Sequence, residues 1–150
     1  MTRGEPCLAA RTADFFAALA IRAARAWSMR RSPFSQVLGH TLLTHGDFME
    51  AIVELSRASR LDPTDASAHD ELGNAYLAQQ RAAEAIDQFR EVVRLAPQRP
   101  EGHNNLGIAL GSLGRFDEAI DAFRAALRAD PGFSEAQANL KTALAVRQKK

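Results

Sequence analysis

The sequence predicts an all-α fold, an α-solenoid of stacked antiparallel helix pairs. Three observations predict it. Pro63, Pro97 and Pro131 stand 34 residues apart. Gly39, Gly73 and Gly107 keep the same interval, as do Leu38, Leu72, Leu106 and Leu140, and Ala51, Ala85 and Ala119. A fixed period of this length means one supersecondary unit copied along the chain. Alanine is abundant and aromatics make up only 7%, which favours helix over strand. The 46% hydrophobic and 25% charged content is that of a globular chain rather than a disordered one.

With Ser32 as the first position, three complete units span 32–65, 66–99 and 100–133, and 134–150 begins a fourth that has only its first half. In the third unit the spacing of Leu106, Leu110 and Leu113 predicts a helix over roughly Pro100–Leu113. Gly114 then supplies a left-handed stop at little cost. Ala119, Ile120, Phe123, Ala126 and Leu127 fall on one face of a second helix, roughly Phe116–Ala129. Asp130-Pro131 ends it, because the residue before a proline is pushed out of the α region.

The first unit repeats the plan with Gly46 as the stop, Ile52 and Leu55 inside and Asp62-Pro63 as the end. The second departs from it: Gln80 takes the stop position, and Ala82 stands where Phe48 and Phe116 stand elsewhere. Its turn is expected to be the least well specified of the three. Gly39, Gly73 and Gly107 lie inside first helices, where glycine costs about 1 kcal/mol against alanine. The recurrence implies close approach of the paired helices, with Ala51, Ala85 and Ala119 as the expected facing residues. Lys141 replaces the glycine in the last half-unit, consistent with a solvated C-terminal cap. Arg147, Lys149 and Lys150 follow where the helix dipole favours cations.

These residues resemble the tetratricopeptide repeat (TPR) family, whose helix pair of this length carries small and large apolar residues at set places and closes with proline. The match runs Leu38-Gly39…Leu42…Ala51…Leu55…Pro63, then Leu72-Gly73…Tyr76…Ala85…Phe89…Pro97, then Leu106-Gly107…Leu110…Ala119…Phe123…Pro131. It covers residues 32 to about 147. The resemblance implies a right-handed superhelix of antiparallel helix pairs, and a non-enzymatic protein–protein interaction module whose first helices line a concave, peptide-binding face.

Carried over residue by residue, the resemblance implies that this face comprises Gln36, His40 and Thr44, then Asp70, Glu71 and Asn74, then Glu101, Asn104 and Asn105, and last Glu135 and Asn139. The lining is acidic and amide-rich, suited to a basic or neutral extended segment of a partner. Asn105 and Asn139 share one register position, and an asparagine offers both donor and acceptor to a peptide group. The run His103–Gly107 is similar to repeats of O-linked N-acetylglucosamine transferases, where asparagine ladders hold peptide backbones. Val37 and Glu71 fill the equivalent position in the first two units, so at most half such a ladder is present. Other members of the family grip a C-terminal carboxylate with Lys, Asn and Arg, and this lining lacks those cations.

The N-terminal region reads differently. Residues 1–12 are expected to be a disordered tail and 13–31 a helix. Ala17, Ile21 and Ala24 align with Ala119, Phe123 and Ala126 after three periods, as in a degenerate half-repeat acting as a cap. Residues 1–31 carry six arginines against Glu5 and Asp14, a net +4, whereas 32–150 carry a net −3. This basic stretch leaves open an organelle-targeting or membrane-surface helix. Phe15, Phe16, Leu19 and Trp27 also allow a self-association face, so a homo-oligomer or assembly subunit is the alternative function. An accessory role to an enzyme such as a glycosyltransferase is a further one.

Chemistry is sparse. The single cysteine, Cys7, allows no intramolecular disulfide or cysteine metal cluster. His69 and His103 recur because the scaffold recurs, and none of the four histidines has the spacing of a helical zinc motif. No Gly-rich phosphate loop and no nucleophile–base–orienter set is found, so neither a cofactor, a metal nor an enzymatic activity is expected. The net charge of +1 gives no indication of nucleic acid binding. No stretch of about 18–20 apolar residues exists to span a membrane. A cytoplasmic location is expected.

Overall fold

The structure, a computed structural model, describes residues 32–149. Among them are seven α-helices and no strands: α1 (Ser32–His45), α2 (Phe48–Leu61), α3 (Ala66–Ala78), α4 (Ala82–Leu95), α5 (Pro100–Ser112), α6 (Phe116–Ala129) and α7 (Ser134–Arg147). Each helix packs against its neighbours in sequence, and α1, α3, α5 and α7 also touch one another in turn. This is an α-solenoid in which the first helices of successive pairs lie side by side. The helix and tail expected within 1–31 lie outside the described residues.

The second helices carry the core. Ala51, Ile52, Leu55 and Ala58 are buried on α2; Ala85, Ile86, Phe89 and Val92 on α4; Ala119, Ile120, Phe123 and Ala126 on α6. That spacing is one helical face, repeated three times. Their ends also match. The N–H of Asp62, Ala96 and Asp130, each just before a proline, donates to the carbonyl of Ala58, Val92 and Ala126. Helix α3 is capped by Asp65, which accepts from the N–H of Ser67 and Ala68.

The turn inside each pair is a Schellman closure. Asp47 N–H reaches Leu42 O at 2.9 Å, Arg81 reaches Tyr76 O at 2.9 Å and Arg115 reaches Leu110 O at 3.0 Å. The left-handed residue is Gly46 at φ +82° and Gly114 at +73°. Gln80 takes the same conformation at φ +59°. The second turn thus has the same closure as the others, with backbone strain instead of a looser geometry. Arg81 then stacks on the Tyr76 ring, 4.7 Å from its centroid, and holds Glu84 at 2.8 Å.

The glycine register reflects the expected close packing of the paired helices, but against a different facing residue from the one expected. A Cβ on Gly39, Gly73 or Gly107 would come within 2.5, 2.6 and 2.5 Å of the side chains of Leu55, Phe89 and Phe123. The glycines therefore make room for the large residue of the facing helix, and Leu55, Phe89 and Phe123 rather than Ala51, Ala85 and Ala119 are the nearest side chains they meet. At the C-terminus Lys141 is exposed, while Ala136 and Ala143 are buried and Leu140 and Leu144 pack partly buried against the core. Two apolar clusters result. Leu38, Leu42, Leu55 and Leu72 belong to the first, Phe89, Val92, Leu110 and Phe123 to the second, and Tyr76 packs against both.

Candidate functional site

Helices α1, α3, α5 and α7 present the expected lining residues in very different states. His40, Thr44, Asn74, Glu101 and Glu135 are exposed; Gln36, Asp70, Glu71, Asn105 and Asn139 are partly buried; Asn104 is buried, at 1% exposure. The structure brings several of them together. Asn105 donates from Nδ2 to Asp70 Oδ1 at 3.0 Å, and Asn139 donates from Nδ2 to Asn104 Oδ1 at 3.0 Å. Both bonds link residues 35 apart, so each is one rung of the same ladder between adjacent units. The asparagine amides are first of all struts of the scaffold. Asn104 is covered by this contact, and Thr44 turns its hydroxyl to Thr41 O at 2.7 Å.

The rung between the first two units is missing. Gln36 and Glu71 occupy its positions, and no hydrogen bond joins them. Glu71 instead lies with Oε1 3.4 Å from His40 Nδ1. Its other oxygen, Oε2, is buried and has no hydrogen-bond partner among the described residues. Burial raises the Glu71 pKa above the ordinary carboxylate range; the charge of His40 opposes this, and those of Asp65 and Asp70 add to it.

Sequence reasoning passed over two further features. Arg99, in the loop before α5, lies 3.6 Å from Asp70 Oδ2 and 3.7 Å from Glu101 Oε2. One cation therefore sits on the lining, already engaged by two carboxylates. The second feature is a cavity of about 330 Å³ between α5 and α7, lined by Ile108, Gly111, Ser112, Asn139, Thr142 and Val146 and floored by Phe123. Ile108, Ser112, Thr142 and Val146 occupy register positions shared with His40 and Thr44. The register pointed to them, and attention to polar side chains missed them.

The aligned histidines serve the scaffold in two ways. His69 is buried, with Nδ1 2.9 Å from Gln88 Oε1. His103 Nε2 donates to Pro97 O at 2.9 Å, and Gln137 makes the equivalent bond to Pro131 O at 2.9 Å. No group of His, Cys, Asp and Glu that could hold a metal occurs among the described residues, and no described helix is long and apolar enough to cross a membrane.

Comparison with solved structures agrees with this geometry. The first TPR domain of Spaghetti (RPAP3), bound to an HSP90 peptide, superposes with a TM-score of 0.75 at 20% identity, covering 78% of this chain and 93% of that one. The Sgt2 TPR domain of Aspergillus fumigatus gives 0.74 at 16% identity, with 79% and 80% covered. The MamA protein gives 0.80 at 26% identity, with 89% and 74% covered. No curated protein sequence matches this one. The tetratricopeptide repeat model matches residues 37–100, 73–132 and 104–150. With those matches running unbroken from 37 to 150, and with the helix pairs, glycine seats and proline closures in place, the chain belongs to the tetratricopeptide repeat family.

Proposed function

We propose that this protein is a non-enzymatic interaction module that holds an extended segment of a partner protein on the concave face formed by α1, α3, α5 and α7. The observation that carries the reading is Glu71. A half-buried carboxylate with one oxygen lacking a donor is costly unless a ligand supplies the donor, and this one sits among the lining residues. A peptide N–H or a basic side chain answers it. Exposed Asn74, Glu101 and Glu135 lie on the same face. The solved TPR domain with an HSP90 peptide shows that such a fold can carry a peptide. The expected partner is a neutral or basic segment, because Arg99 is occupied by Asp70 and Glu101 and is not free to grip a carboxylate.

The expected likeness of His103–Gly107 to O-linked N-acetylglucosamine transferase repeats, which the family and structure matches do not support specifically, contributes only the idea of backbone recognition. Asn105 and Asn139 each spend an amide hydrogen on the ladder, and each keeps a carbonyl oxygen with no hydrogen bond among the described residues. That oxygen is the atom proposed to meet a partner's backbone N–H.

The test is a randomised heptapeptide library panned on the wild-type protein, followed by affinity measurement with the enriched peptides. Asn74→Arg with Glu135→Arg changes exposed positions of the concave face and is expected to weaken binding at least tenfold. Asp121→Arg, on the outer face of α6, is expected to leave it unchanged. Absence of any enriched peptide, or equal affinity for all three proteins, overturns the reading.

A further inference from the structure

Gly111 has no packing reason to be glycine. It lies inside α5, where glycine is a poor helix former. A Cβ built on it meets nothing within 4 Å, in contrast to Gly107 one turn earlier. The register makes the anomaly sharper. The two preceding units carry Leu43 and Leu77 at this position, and both pack partly buried against the apolar core. The third unit has dropped a leucine side chain at the place where the cavity of about 330 Å³ opens.

The walls of that cavity are those of a side-chain seat. Ile108 is 38% exposed and Val146 37%, so each keeps apolar surface open to the cavity on a face that is mostly polar. Phe116, Phe123 and Ala143 close the bottom. Asn139 forms one edge, and its carbonyl oxygen makes no hydrogen bond among the described residues. Glu135, one turn before Asn139 on α7, is exposed and carries no ion pair among the described residues. Arg147 at the other end is held by Asp117 at 3.3 Å. Near the Asn139 edge of the cavity the unpaired charge is thus that of Glu135, while Lys141 further along α7 and Lys149 just beyond it are cations unpaired among the described residues.

We infer that the cavity at Gly111 is an anchor pocket for one bulky aliphatic side chain of the partner segment, which carries a lysine or arginine beside that anchor to meet Glu135. This rests on the concave-face reading and adds the chemistry that the face selects. The side chain absent at this register is a leucine, the floor and two walls are aliphatic or aromatic with Ser112, Asn139 and Thr142 at the rim, and apolar burial supplies affinity that polar contacts on an exposed face do not. Asn139 holds the backbone next to the anchor, and the glutamate fixes which flanking residue is accepted.

The same panned heptapeptides test it. Wild-type protein is expected to enrich a Leu, Ile or Met with a Lys or Arg within two or three positions. Replacing that anchor by Ala in the best peptide is expected to cost at least tenfold in affinity. Gly111→Leu restores the residue that the other units carry, so it is expected to keep its helical circular dichroism and a thermal midpoint no lower than wild type. It is expected to bind the parent peptide at least tenfold more weakly and to make the anchor→Ala change silent. Ile108→Asp, at an exposed position on the cavity wall, provides a second loss variant that leaves α5 intact. Enriched peptides lacking an apolar position, or undiminished binding by both variants, overturn the pocket while the concave-face test stands by itself. An apolar anchor flanked by acidic residues overturns the assignment to Glu135. No enriched peptide overturns both readings.

Discussion

Asn139 donates its side-chain amide to Asn104 Oδ1 at 3.0 Å, and Asn104 is buried beneath it. This bond ties α7 to α5 and reproduces the Asn105–Asp70 bond one unit earlier. Asn139→Ala leaves a buried amide without its donor and is expected to cost about 1–3 kcal/mol in unfolding free energy. The urea unfolding midpoint measures it. A cycle with Asn104→Ala separates the pair: the double variant is expected to lose less than the sum of the singles. An Asn139 variant is therefore a poor reporter of partner binding by itself, because it also loosens the scaffold.

Gln80 sits at φ +59° where the other two turns have glycine. A side chain in the left-handed region costs about 1–2 kcal/mol, partly offset by the extra freedom that glycine has in the unfolded chain. Gln80→Gly is expected to raise stability by about 0.5–1 kcal/mol, seen as a higher thermal midpoint with unchanged helix content. No rise would mean that the turn is relaxed by contacts of the Gln80 side chain.

Two glycines of α5 predict opposite outcomes for the same substitution. At Gly107 a Cβ would approach the Phe123 ring within 2.5 Å, so Gly107→Ala forces the ring to move and is expected to cost about 1–3 kcal/mol. At Gly111 nothing lies within 4 Å, so Gly111→Ala is expected to stabilise by up to about 1 kcal/mol through helix propensity. Parallel thermal melts of the two variants check both signs.

Glu71 gives a pH dependence with a definite sign. Its folded pKa is raised, chiefly by burial. Across the interval between the ordinary and the raised value, the folded state holds more protons than the unfolded state. Its contribution to stability is therefore present at low pH and is lost as pH rises through the raised value. Glu71→Gln removes this loss. The stability of the variant relative to wild type is expected to grow from pH 4 to pH 7 in urea titrations. A constant difference would show that the carboxylate is fully solvated.

The fold was legible because the residues that build it recur. Leu55, Phe89 and Phe123 keep a register, and so do the glycines that seat them. The period could not show which partner each glycine meets, since Ala51 and Leu55 both face inward and only geometry tells them apart. The lining was legible as a set of positions and less so as a set of roles. Asn104 and Asn105 adjoin in sequence, yet one is covered and accepts a bond from the next unit, and the other donates to the unit before. Periodicity locates a position but carries no information about neighbours 35 residues away. The cavity at Gly111 escaped notice for a related reason. It is a departure from the register, visible only against Leu43 and Leu77.

Among the described residues Tyr76 packs against both apolar clusters, and Arg81 covers its ring. Along the seam between them, Phe89 against Gly73, and Leu77 against the second cluster, join the two clusters alongside Tyr76. The seam runs through the second unit, between α3 and α4, and the unit boundary next to it lacks its amide rung. Hydrogen exchange should divide there, with α1–α3 opening at lower free energy than α4–α6. A partner laid across the concave face from α1 to α7 would span that seam, so binding would also act as a splint that makes the solenoid unfold as a whole.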